Sequence, residues 1–208
     1  MSQQDRTRAG YDAIAAPYAE HFADELDGNP LARSVLTAFA ELVGDGAALE
    51  VGCGPGRVTG FLHGLGVDVA GLDLSPAMVA LARAAHPGVD FAEGEMAALP
   101  HADASLAGLL AWYSVIHTPR PELPALFAEF HRVLAPGGTL LLAFQVGTST
   151  KHYDELLGRA VDLDYHRLDP AEVTGQLADA GLAVTATLVT EPADWETTQQ
   201  AHLLARKG

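Results

Sequence analysis

Residues 49–60 read LEVGCGPGRVTG, with Gly52, Gly54 and Gly56 at alternate positions after a short apolar run. Alternating glycine makes a poor strand and a poor helix. It suits a turn in which backbone approaches a ligand and a following helix presents free N–H groups. Two carboxylates flank that turn: Glu50 just before it, and Asp73 at the end of the next apolar run. A carboxylate at Asp73 can accept from both hydroxyls of a ribose, or else cap the helix that follows. Arg57 stands where a dinucleotide fingerprint has its third glycine, and no Gly-Lys-Ser/Thr follows to make a phosphate loop. A nucleoside without a pyrophosphate fits these facts. Cys53, the single cysteine, lies inside the turn with no histidine near it in sequence. It is either a nucleophile or a small side chain packed beneath the turn.

The elements that must hold these groups follow from periodicity. Tyr11, Ile14, Ala15, Tyr18 and Phe22 mark one helix, and Leu31, Val35, Leu36, Phe39 and Val43 a second. Apolar runs at 47–51, 67–74, 89–94, 105–115 and 139–146 read as strands. Helices at 57–65, 76–85 and 121–134 separate them, the second opened by Ser75–Pro76. Such alternation predicts a parallel sheet covered on both faces. A helix from Asp169–Pro170 to Ala180 and two alternating runs, 182–191 and 199–207, predict an antiparallel close to a seven-stranded sheet. One domain over 1–208 is expected: a helical cap over 1–44, a ligand-binding core over 45–146, a polar insertion or lid over 147–168, and the C-terminal helix and strand pair over 169–208.

Four stretches in order, EVGCGPG (50–56), LDLSP (72–76), GEMAALP (94–100) and LAPGGTL (134–140), give the region from about residue 45 to 145 a specific character. It resembles the class I S-adenosylmethionine-dependent methyltransferases, and LLAWYSVIH (109–117) looks like small bacterial members. The resemblance implies a Rossmann-like three-layer α/β sandwich and S-adenosylmethionine as cofactor, with S-adenosylhomocysteine as product and no metal. It implies that Glu50, Gly52, Cys53, Gly54 and Gly56 face the methionine part, that Asp73 with Leu74 holds the ribose, and that Glu95 and Met96 lie by the adenine. Tyr18, Met78 and Trp112 complete the implied cofactor wall. Packing explains the two methionines, Trp112 and the tyrosines equally well.

On the acceptor side, His117 just beyond the fourth strand is the candidate general base and Tyr113 the candidate orienting group. A base of this kind contributes about 10²–10⁴. Tyr11, Ser114, His152 and Tyr165 are candidate substrate contacts; an ordinary surface loop is the alternative for the last two. The sequence departs from the family at Glu95, where aspartate is common, and at Leu106–Ala107. Ala111–Ser114 replaces the family's amide-clamping Asn/Asp-Pro-Pro-Tyr/Phe, which argues against bases and glutamine as acceptors.

Net charge is −15, from 12 basic and 27 acidic residues, with no basic stripe. That argues against nucleic acid and anionic membranes and for a small-molecule substrate. No apolar run reaches 18 residues and the first 22 residues carry no signal-peptide core, so a cytoplasmic setting is expected. No set of residues with metal-ligand spacing is evident. A homodimer is left open by the last alternating strand, which could form an exposed edge. Two other readings stay open: an S-adenosyl-ligand-binding protein that transfers no methyl group, and a nicotinamide-linked oxidoreductase, against which Arg57 argues.

Overall fold

A computed structural model describes residues 2–193 and 196–208. Five strands, β1 (Ala48–Val51), β2 (Val69–Asp73), β3 (Phe91–Glu93), β4 (Leu106–Trp112) and β5 (Leu134–Gln145), run parallel in one sheet. A separate antiparallel hairpin is made by β6 (Thr150–Leu156) and β7 (Arg159–His166). Strands β8 (Leu182–Thr190) and β9 (Gln200–Lys207) complete the main sheet, both pairings antiparallel. The spatial order is β3-β2-β1-β4-β5-β9-β8. Order reverses between β1 and β4, and in open α/β sheets the crevice outside the C-terminal strand ends at such a point receives ligands. The glycine turn, Asp73 and residues 112–114 all lie there.

Alternation along the strands splits the core into two layers. Leu140, Leu142 and Phe144 join Leu109, Ala111 and Leu203 on one face, covered by α5 (Leu123–Val133) and α6 (Pro170–Asp179). Leu141 and Ala143 join Leu110 and Trp112 on the other, covered by α2 (Pro30–Val43) and α3 (Arg57–Gly64). A third cluster sets Val79 and Ala82 of α4 (Pro76–Ala85) against Cys53, Val89 and Phe91. The helix starts follow local chemistry. Ser75 Oγ accepts from the Met78 N–H with Pro76 in the first turn, and Asp169 accepts from the Ala171 and Glu172 N–H groups ahead of α6.

Two segments differ from expectation. The helix expected over 121–134 and the strand expected from 139 leave residues 135–138 between them; these residues belong to β5 itself, with Gly137 at φ 77° and a register shift opposite Leu106–Gly108. A bulge accommodates the glycine without ending the pairing. The expected polar insertion at 147–168 is the β6–β7 hairpin, turned at Leu157–Gly158 with φ 51° and 72°. Positive φ at both turn residues matches the twist of a two-residue hairpin. The hairpin packs on α1 (Gln3–His21) so closely that a Cβ on Gly10 would sit 2.7 Å from the Leu163 side chain. Arg6 of α1 reaches Asp162 at 3.4 Å and Asp164 at 3.8 Å.

Candidate functional site

A cavity of about 290 Å³ opens at the C-terminal ends of β1, β2 and β4 beneath α1. Of the residues singled out above, Tyr11, Tyr18, Gly52, Gly54, Asp73, Leu74, Met78, Glu95, Met96, Trp112, Tyr113, Ser114 and His117 line it. The glycines have separate tasks. Gly52, at φ 70°, lies so near β4 that an added Cβ would come 2.3 Å from the Cβ of Ser114. Ser114 in turn donates to the Val51 carbonyl at 2.6 Å, tying the ends of β1 and β4. Gly54, at φ 54°, has open space where a Cβ would be and presents bare backbone to the cavity. Asp73 fixes that backbone: Oδ2 accepts from the Gly54 N–H at 2.7 Å and Oδ1 from the Ser75 N–H at 2.8 Å. Burial raises the Asp73 pKa above 3.8, against these stabilising N–H donors.

Five expected site residues do not reach the cavity surface. Gly56 is a packing glycine, since a Cβ there would meet the Phe91 ring at 2.9 Å. Cys53 is buried in the third cluster, and burial lifts its thiol pKa well above 9.0; a protonated, covered thiol is no nucleophile. Glu50 lies under the turn, where Oε2 accepts from the Thr59 hydroxyl at 2.5 Å, and burial pushes its pKa to about 8. Tyr165 stands behind Tyr11, its hydroxyl 3.1 Å from the Tyr11 hydroxyl. His152 was expected to face substrate. Strand alternation turns it outward, with Asp164 opposite and Asp154 beside it, at 2.8 and 3.0 Å.

The expected general base is also not free. His117 Nδ1 lies 3.1 Å from the Asp164 carbonyl oxygen and Nε2 lies 2.7 Å from the Tyr11 hydroxyl. A carbonyl only accepts, so Nδ1 carries the proton, Nε2 accepts from Tyr11, and Tyr11 accepts from Tyr165. Burial pushes the His117 pKa down to about 4. Burial likewise raises the Tyr11 phenol, which therefore stays protonated at neutral pH. Tyr11→Phe leaves His117 Nε2 and the Tyr165 hydroxyl without their partner. A cost of about 1–2 kcal/mol is expected, a melting-temperature drop of roughly 2–8 °C at this chain length, read by thermal denaturation.

Glu50 gives a pH signature. Its pKa is about 8 when folded, against an ordinary 4.5, so the folded state binds more protons than the unfolded one between those values. Stability from the protonated form is whole below pH 4.5 and is lost as pH rises toward 8. Glu50→Gln removes this dependence. Its melting temperature in the ligand-free state should match the parent near pH 4.5 and exceed it by a growing margin toward pH 8.

The sequence reading missed the α1 face that roofs the cavity. Gln3, Gln4, Thr7 and Arg8 line it with Tyr11. Gln3, Thr7 and Tyr11 recur at four-residue spacing, which places them on one helix face, and that was the available signal. Asp12 on the same helix takes the Ser75 hydroxyl at 2.5 Å and the Ala77 N–H at 3.2 Å, fastening α1 to the start of α4. Arg57 pairs with Glu25 at 2.5 Å beneath Phe22, so its charge is spent on joining α3 to the segment after α1. Among the described residues no group of three or more metal-ligating side chains converges, and no helix is long and apolar enough to cross a membrane.

Residues 48–138 match a family described as a methyltransferase domain. The chain is 34% identical over 143 residues to a probable S-adenosylmethionine-dependent methyltransferase of Mycolicibacterium smegmatis, covering 67% of this chain and 53% of that protein. It is 38% identical over 91 residues to demethylmenaquinone methyltransferase of Chlorobaculum parvum, covering 43% and 37%. The chain thus spans about half or less of the length of these curated relatives. Magnesium protoporphyrin IX methyltransferase of Synechocystis, solved with bound S-adenosylmethionine, superposes with a TM-score of 0.76 at 17% identity, covering 100% of this chain and 98% of that one. That likeness is one of fold. With four motifs in order, a sheet reversing at the glycine turn, and a family match across that region, the comparisons support a class I S-adenosylmethionine-dependent methyltransferase.

Proposed function

We propose that this protein transfers a methyl group from S-adenosylmethionine to a small-molecule acceptor. The observation that carries the reading is the Asp73 carboxylate, which lines the cavity while bonded to the N–H groups of Gly54 and Ser75. It is held rigidly at the switch point, and each oxygen keeps a second acceptor site for a ribose hydroxyl. The residues present fit the cofactor. Gly54 offers a cradle that a side chain would fill, Glu95 and Met96 stand where the adenine is expected, and Trp112 and Tyr18 form apolar wall. Glu50 sits buried under the turn, where an ammonium group beyond Gly52 would draw it into its ionised form.

Bound there, S-adenosylmethionine supplies an activated methyl group on a sulfonium. The chain's own part is alignment and exclusion of water. Tyr11, Tyr18 and the α1 roof cover the cavity, and Ser114 with Gly52 sets the spacing of its floor. His117, with its pKa near 4, is a poor proton store at neutral pH, since an effective base has a pKa near the working pH. We therefore assign His117 and Tyr165 to fixing the Tyr11 hydroxyl at the cavity wall. An acceptor that needs little help in losing its proton suits this site. Glu25 and Glu196 both raise the Tyr113 phenol, after burial, so the field on that side is negative and Tyr113 acts as a neutral orienting hydroxyl. The acidic composition accords with action on neither nucleic acid nor an anionic membrane, and a cytoplasmic setting without metal is part of the same proposal. The chain is taken to work as a single domain, and a homodimer is compatible with it.

Saturating S-adenosylhomocysteine tests the cofactor assignment. At one hundred times its dissociation constant it should stabilise the fold by about 2.7 kcal/mol, a rise of roughly 5–10 °C at this length. Neither S-adenosyl ligand shifting the transition would defeat the reading. Ligand bound but never consumed, across a broad acceptor panel, would favour a protein that binds the cofactor without methyl transfer.

A further inference from the structure

The two faces of the main sheet are covered unequally. On the face that holds Leu141 and Ala143, α2 lies over β4 and β5. Beyond β5 that face is bare: α6 packs on the opposite side of β8 and β9, and among the described residues no helix covers this one. By register, Leu204 and Arg206 of β9 share the bare face with Leu141 and Thr139, and Ala186 and Ala183 of β8 share it with them. Ala183, Ala186 and Arg206 are exposed and Leu204 is half-buried. Beside this ledge α2 stands as a ridge, apolar over more of its circumference than the fold buries. Ala32, Leu36, Phe39, Ala40 and Val43 face the core. Leu31, Val35, Ala38 and Leu42, spaced by four, three and four residues, make a second stripe next to them. Leu31 is 53% and Leu42 58% exposed. The stripe lies on the flank toward β9, where Val35 and Leu204 pack against the same core cluster.

We propose that this step, an apolar ridge beside a bare ledge, is a homodimer interface in which α2 of each copy lies on the β8–β9 ledge of the other. Shape sets the symmetry. A two-fold axis along the strands turns ridge onto ledge and ledge under ridge, so one surface is its own complement. A two-fold across the strands would set ridge against ridge and leave both ledges bare. Charge selects a second copy as the occupant. Chains of net charge −15 repel one another except where the contact is neutral or its charges pair. The stripe holds no charged residue, and the named ledge residues only one, Arg206. Val43 packs at Gly108, and Gly108, Thr139 and Arg206 lie in one register row, so the C-terminal end of α2 is level with Arg206. An axis along the strands keeps that level. It brings Glu41, exposed in the last turn of α2, and the carbonyl end of the helix to the Arg206 of the other copy. Arg206 Nε donates to the Gly137 carbonyl at 3.1 Å, and its guanidinium meets no carboxylate within one chain among the described residues. The two-fold supplies that carboxylate twice, once at each end of the interface. This inference stands apart from the methyltransferase reading, and its test needs no cofactor.

The test is sedimentation velocity of the full chain over a range of concentrations, with no ligand added. The parent is expected to sediment as a dimer. Leu42→Glu should weaken dimerisation at least tenfold, with the melting temperature of the monomer kept because the side chain is exposed. Glu41→Lys and Arg206→Glu each set like charges against one another at both ends, and each should weaken the dimer at least tenfold. Mixing those two variants restores both pairs, one lysine to one glutamate and one native arginine to one native glutamate, so the mixture should dimerise where neither variant does alone. The double variant Glu41→Lys/Arg206→Glu should dimerise within about threefold of the parent. A parent that remains a monomer at every concentration overturns the proposal. A dimer indifferent to Leu42→Glu would lie on another face, and a mixture that stays monomeric would break the pairing of Glu41 with Arg206; either result also overturns it.

Discussion

Gly52→Ala is expected to abolish measurable S-adenosylhomocysteine binding and to lower the melting temperature by about 5–15 °C. Two effects add. The position has φ 70°, which costs an L-residue about 1–2 kcal/mol. The new methyl group would also come 2.3 Å from the Ser114 Cβ and 3.0 Å from its Oγ. Ser114 cannot yield cheaply, because its hydroxyl holds the Val51 carbonyl and its backbone follows the β4 strand. Overpacking of this kind costs about 1–3 kcal/mol more. Relief comes only by spreading β1 from β4, which moves the glycine turn away from Asp73. The effect on binding should therefore exceed the effect on stability, as separate calorimetric and thermal measurements would show. The paired variant Gly52→Ala/Ser114→Gly removes the clash but leaves the strained φ and deletes the Ser114–Val51 hydrogen bond. It should recover S-adenosylhomocysteine binding in part and only part of the lost melting temperature, since the Val51 carbonyl loses its partner. A single variant as stable as the parent would mean that the turn is looser than its geometry shows.

The glycine-turn half of the cavity was legible in the sequence because its parts are local. The strand–turn–helix order, the Ser75–Pro76 cap and the acid at the end of the second strand each depend on a few neighbouring residues. The continuous apolar runs of the parallel strands marked them as buried on both faces, and the two core clusters lie on those two faces. Depth was not legible. Glu50, Cys53 and Gly56 stand in the same motif as Gly52 and Gly54, yet face down into packing. A motif marks a turn and does not say which of its atoms look outward. The side of the cavity toward the hairpin depends on contacts far apart in sequence. His117 meets Asp164 across 47 residues, and Tyr11 meets His117 across 106. These join α1, the turn after β4 and the hairpin, and no local pattern encodes such a meeting. The hairpin escaped notice for a related reason. Its inner row, Tyr153, Leu163 and Tyr165, is short, and its outer row of His152 and Asp164 is polar on an element with little core of its own.

Asp73→Ala should weaken S-adenosylhomocysteine about 100-fold, or about 2.8 kcal/mol. Two contributions converge on this carboxylate. Hydrogen bonds to a charged group are worth about 1.5–3 kcal/mol each where water is excluded, and the ribose would lose its acceptor. The Gly54 N–H would also lose the partner that holds the turn open at 2.7 Å. Asp73→Asn separates the two. The amide keeps one oxygen for one backbone N–H, but sets an NH2 group against the other donor, so an intermediate loss of about tenfold is expected. The pH dependence gives a further check. Burial raises the Asp73 pKa from 3.8, so the carboxylate begins to protonate at a higher pH than an ordinary aspartate. A protonated carboxyl accepts fewer hydrogen bonds from ribose. Parent affinity should therefore fall as the solution is acidified through the region above pH 3.8, and the Ala variant should lack that part of the dependence. Equal affinity in parent and Ala variant would place the ribose elsewhere. The glycine turn would then hold another ligand, and nicotinamide cofactors would be the next compounds to titrate.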